Sequence, residues 1–102
     1  MTEVERIKSA LRNWLNEYEE PIREKETQIE SLIEEKLNSE AEYAAKELVY
    51  KQLQITDVED RLETLKHKIE ILRIEIETAQ NEKNKLINEF GPFISAIKAE
   101  LQ

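Results

Sequence analysis

The chain has 102 residues, 39% of them hydrophobic and 37% charged, with a net charge of −8 and no cysteine. That length bounds it to one domain, and the apolar fraction suffices for a helix seam but not for a thick core. The negative charge argues against nucleic-acid binding by phosphate neutralisation, and the lack of thiols excludes a disulfide framework, a cysteine nucleophile and the usual zinc sites.

Glu, Lys, Leu, Ile and Ala dominate the composition. These are mostly strong helix formers, so an all-α protein is expected. No run approaches the roughly 18 to 20 apolar residues that span a bilayer. The opening MTEVERIKSALRNWLNEYEE has no long apolar core of the kind a signal peptide carries. The expected setting is intracellular and cytoplasmic.

The first element opens at Thr2 with Glu5 three residues later, the spacing of a capping box. Val4, Ile7, Leu11, Trp14, Leu15 and Tyr18 share one helical face, predicting an amphipathic helix over 1–20 that ends or kinks at Pro21. The second element, 22–54, continues through Ile22, Ile29, Leu32, Ile33, Leu37, Ala41, Ala44, Ala45, Leu48 and Leu53. Part of it keeps an 11-residue spacing (Leu11, Ile22, Ile33, Ala44, Ile55), which suits a helix with little supercoil.

Two places carry helix-start signals after this element: Asn38 and Ser39 with Glu42, and Thr56 and Asp57 with Glu59. The second is preferred on geometry, since Pro21 and Gly91 each lie 35 residues from Thr56. A reversal at residues 54–57 brings both breakers to one level. The competing arrangement reads Leu48, Ile55 and Leu62 as one unbroken phase and makes a continuous helix from about residue 21 to 90, paired in parallel with a second copy. In that pairing Arg61 meets Lys66 and Lys68 meets Arg73, which are like charges.

The third element, 57–90, carries the clearest pattern. Ile55, Val58, Leu62, Leu65, Ile69, Leu72, Ile76, Ala79, Lys83, Leu86, Phe90, Phe93 and Ile97 recur every three and four positions, the a and d places of a heptad repeat. Gly91 and Pro92 are expected to close this helix, glycine in the left-handed conformation, and to start a short one over 92–102. The whole is one helical domain, a long antiparallel hairpin with short terminal helices. One seam is little to bury, so self-association into a bundle is expected.

The reversal predicts that Trp14 and Tyr18 meet Phe90 and Phe93, with Ile94 and Ile97 continuing an apolar face. Tyr43 and Tyr50, at c places outside the main stripe, suggest a second contact face. Lys83 interrupts the seam; it either fixes register or packs its stem while its ammonium reaches water or Glu82. His67 falls at a solvent-facing f place between Glu63 and Glu70, a poor metal set.

No catalytic arrangement is present: no phosphate loop, no nucleophile with a base and acid, and no pocket architecture. Neither an enzyme nor a bound cofactor is expected. The residues point to a protein–protein interaction or scaffolding module that pairs with itself and with another protein. An alternative is an acidic inhibitor occupying a basic nucleic-acid cleft through Glu17, Glu24, Glu30 and Glu34, whose binding would collapse with added salt.

Overall fold

The structure, a computed structural model, describes residues 2–102. Among them are two α-helices and no strand: α1, Glu3–Gln52, of 50 residues, and α2, Val58–Leu101, of 44. Among the described residues no helix is long and apolar enough to cross a membrane. Thr2 caps α1 through a reciprocal box. The Glu5 amide donates to the Thr2 hydroxyl (3.2 Å) and the Thr2 amide donates to the Glu5 carboxylate (3.3 Å). Two orphan amides at the helix start are thereby satisfied.

The terminal segments are not separate helices. Pro21 lies inside α1, and Gly91 and Pro92 lie inside α2, with Gly91 at an ordinary helical φ rather than the left-handed one expected of a closing glycine. Proline in a helix interior costs about 3 kcal/mol, so the surrounding turns must be held from outside. Tyr18, three residues before Pro21, contacts Phe90 and Phe93, which flank Gly91 and Pro92; Lys25, four residues after Pro21, pairs with Glu82. Tertiary packing of this kind outweighs local propensity in most helices.

The reversal occupies residues 53–57, where the Thr56–Asp57 signal puts it, and α1 runs unbroken through Asn38 and Ser39. Its closing chemistry is unusual. The Ile55 amide donates to the Tyr50 carbonyl (3.0 Å) and the Gln54 amide to the Lys51 carbonyl (3.1 Å), the paired 6→1 and 5→2 bonds of a Schellman motif. Gln54 takes the left-handed position at φ 56°, where glycine is the usual occupant. Asp57 then caps α2, its carbonyl accepting from the Arg61 amide (3.1 Å).

The contacts fall into two compact units. One is the Ile29–Thr78 hairpin, holding the turn and both adjoining helix segments; the other pairs α1 up to Gln28 with α2 from Ala79 onward. In the hairpin unit the α2 seam is Val58, Leu62, Leu65, Ile69, Leu72 and Ile76, with Leu62 and Leu72 buried. The facing α1 positions are Ile29, Leu32, Lys36, Ser39, Tyr43, Glu47 and Tyr50, a set that mixes polar and apolar residues. Ser39, only 2% exposed, is among the most buried side chains. No buried side-chain nitrogen or oxygen among the described residues lacks a hydrogen-bond partner.

In the other unit Leu11, Leu15, Tyr18, Ile22 and Lys25 of α1 face Ala79, Lys83, Leu86, Phe90, Ile94, Ile97 and Leu101 of α2. The heptad reading places Phe93 in this seam. The structure puts Ile94 there instead and leaves Phe93 47% exposed. A straight helix drifts about 20° per heptad against a 3.5 repeat, and five heptads separate Ile55 from Phe90. The accumulated drift, about one residue's turn of 100°, is absorbed by the four-four step Leu86, Phe90, Ile94. Ser39, Tyr43 and Glu47 make the same step in α1.

Candidate interaction surfaces

In the unit built from the two chain ends, Tyr18 is the hub of an aromatic group. Its ring stacks on Phe93 (5.1 Å, 16° between planes), meets Phe90 at 5.1 Å and 54°, and lies 6.0 Å from Trp14 on the preceding turn. Such pairs contribute about 0.5 to 1.5 kcal/mol beyond the area they bury. Tyr18 and Phe90 are half-buried, while Trp14 is 44% exposed, so the group runs from the seam to the surface. Ile94 and Ile97 extend the seam beyond it, with Ile97 buried.

Ion pairs across the same seam show the two segments to be antiparallel. Lys25 pairs with Glu82, Lys83 Nζ lies 3.5 Å from Glu26 Oε1, and Lys98 Nζ lies 3.5 Å from Glu19 Oε2. Lys83 therefore reaches neither water alone nor Glu82. Its half-buried stem packs in the seam while its ammonium meets a carboxylate of the opposite helix.

The hairpin unit corrects the expected second face. Tyr43 and Tyr50 are half-buried toward α2, and the Arg61 guanidinium carbon of α2 sits 5.8 Å from the centre of the Tyr50 ring, within cation–π reach. The outward apolar face of α1 consists instead of Ile33, Leu37, Ala41, Ala44 and Leu48, all exposed, with Leu37 at 55% and Leu48 at 66%. Spaced by four and three, these five form a narrow stripe on one side of the helix. The misreading came from carrying the Leu48, Ile55, Leu62 phase across the turn. Gln54 breaks that phase, so Leu48 and Leu62 belong to different stripes.

Charge on this unit is interleaved. Asp57 with Arg61 (2.9 Å), Glu42 with Lys46 (2.8 Å) and Glu70 with Arg73 (2.7 Å) form pairs along the helix surfaces, and Lys68 approaches Glu35 across the seam (3.6 Å). Hydrogen bonds from the basic partner hold the carboxyls of Asp57, Glu42 and Glu70 below their ordinary values. His67 is exposed, on a shallow open surface with Glu59, Asp60, Glu63, Lys66 and Glu70. Among the described residues no group of three or more His, Cys, Asp or Glu side chains is placed to hold a metal ion.

Comparison with protein families, with characterised proteins and with solved structures finds no match to this chain.

Proposed function

We propose that the chain is a non-enzymatic helical interaction module that associates with itself and with other proteins through apolar helix faces. The observation that carries this reading is the exposed stripe Ile33, Leu37 and Leu48 on α1. Large aliphatic side chains spaced to form a continuous face are costly to leave in water, and such faces are used for docking helices. The aromatic group around Tyr18, open to the surface at Trp14 and Phe93, is a second contact region of the same kind.

Light scattering with mass determination tests it. The wild-type chain is expected to exceed its 12.1 kDa monomer mass as concentration rises, and the triple variant Ile33→Ser, Leu37→Ser, Leu48→Ser to remain monomeric. A wild type that stays monomeric throughout overturns self-association. Association that survives high salt supports the apolar reading over the acidic-inhibitor one. Lysines placed among the carboxylates in each unit already favour it, because they break up the continuous negative face such an inhibitor needs.

A further inference from the structure

We infer that the partner seated on the α1 stripe is the same stripe of a second copy, packed antiparallel about a twofold axis beside Ala41 and Glu42. This rests on the proposed self-association and adds its surface, orientation and register.

The first argument is the distribution of side chains between the two faces of α1. In the hairpin unit the seam toward α2 includes Lys36, Ser39 and Glu47, while the stripe turned to solvent is wholly apolar. The more hydrophobic face of the helix is the one without a partner. A helix that met only α2 would carry the opposite arrangement.

The second argument is size. Along the stripe the order is Ile33, Leu37, Ala41, Ala44, Leu48, with small residues in the middle and large ones at both ends. Reversal about a point near residue 41.5 sets Leu37 of one copy level with position 46 of the other, between its Ala44 and Leu48. Large side chains then meet small ones near the axis, where the two alanines let the backbones approach closely.

Charge gives the third. In an antiparallel isologous pair, like-placed flanks of the two helices meet. On the flank nearest the seam the same reversal sets Lys36 of each copy level with Glu47 of the other. Within one copy Lys36 pairs with Glu40 (3.0 Å) and Glu47 with Lys51 (3.4 Å), so both groups already extend along this flank. Shifting the axis by about two residues toward the C-terminus would oppose Lys36 to Lys51 and Glu40 to Glu47. Shape and charge therefore select one register.

The stripe covers about 24 Å of one helix face, too short to bury the roughly 800 Å² per partner of a standard interface. Association is accordingly expected to be concentration-dependent, in the micromolar range or weaker.

Because the chain has no cysteine, single cysteines read the geometry directly. Two copies related by this axis hold position 41 within about 1.5 Å of itself along the helix, position 37 about 13.5 Å and position 48 about 19.5 Å. A disulfide tolerates a Cα separation of only about 7 Å. The full-length variants Ala41→Cys, Leu37→Cys, Ala44→Cys and Leu48→Cys, oxidised under mild conditions, are expected to give a covalent dimer for Ala41→Cys alone. A mixture of Leu37→Cys and Ala44→Cys chains is expected to give the heterodimer in preference to either homodimer.

Cross-linking at all four positions would show a parallel pair and overturn the inference while leaving the interaction reading standing. Cross-linking at none, in a chain that scattering shows to be dimeric, would place the contact on another face, with the same consequence. A monomeric chain with no cross-link overturns both. The charge register has its own check: Glu47→Lys should weaken the dimer several-fold, and adding Lys36→Glu should restore it.

Discussion

At the scale of single residues, Gln54 and Asp57 decide how the chain turns. A side chain in the left-handed conformation costs about 1 to 2 kcal/mol that glycine avoids. Gln54→Gly is therefore expected to stabilise the protein by about 1 kcal/mol, read as a shift in the urea midpoint at unchanged slope. No shift would mean that glycine's greater freedom in the unfolded chain cancels the relief.

Asp57 makes a pH-dependent contribution whose sign is fixed. Its carboxyl is held below the ordinary 3.8 chiefly by the hydrogen bond from Arg61. A depressed folded-state value means stability that is present above the unfolded value and lost as pH falls through the folded one. Asp57→Asn keeps a good capping residue and removes the titration. The stability difference between wild type and this variant should be constant near neutrality and shrink as pH drops below about 3.8; a constant difference down to pH 2 would contradict the assignment.

Leu62 carries the apolar counterpart. It is almost wholly buried in the hairpin seam, and Leu62→Ala should cost about 2 to 5 kcal/mol. Leu48→Ala, at an exposed position, should change monomer stability little.

At the scale of helices, both prolines are held inside segments that their local chemistry would end. Pro21→Ala restores one backbone bond and should raise stability by up to about 3 kcal/mol. Position 91 is subtler. A Cβ there meets nothing within 4 Å apart from its chain neighbours, yet the next residue is Pro92, whose ring crowds a preceding side chain in the helical region. Gly91→Ala should gain about 1 kcal/mol in a Pro92→Ala background and less, or nothing, in the wild type. Equal gains in both would show that the glycine does not serve the proline.

These helices also show which parts of the fold were readable beforehand. Positions from Ile55 to Phe90 announce the α2 seam because nearly every one is a large aliphatic or aromatic residue. The α1 seam is hidden because Lys25, Lys36, Ser39 and Glu47 occupy it, and pattern reading follows apolar residues. It therefore attached Ile33, Leu37 and Leu48 to the core and moved Tyr43 and Tyr50 outside it. The reversal was legible from the cap at Asp57, not from its own left-handed residue, since glutamine gives no turn signal.

Across the molecule as a whole, the contacts most open to sequence reading are those between the chain's two ends. Equal spacing of Pro21 and Gly91 from the turn was enough to bring Tyr18 together with Phe90 and Phe93. Side-chain detail was not available that way: whether Lys83 turns to Glu82 or to Glu26 depends on where the opposite helix lies. The heptad drift that exchanges Phe93 for Ile94 likewise appears only once α2 is known to run unbroken through Gly91 and Pro92.

The chain contains one tryptophan, and its indole sits 6.0 Å from the Tyr18 ring at the surface edge of the terminal unit. Its emission is thus a built-in reporter of that unit alone, while far-ultraviolet dichroism sums over both helices. Recording the two signals in one heating experiment would show whether the ends of the chain let go before the hairpin melts or in the same cooperative step.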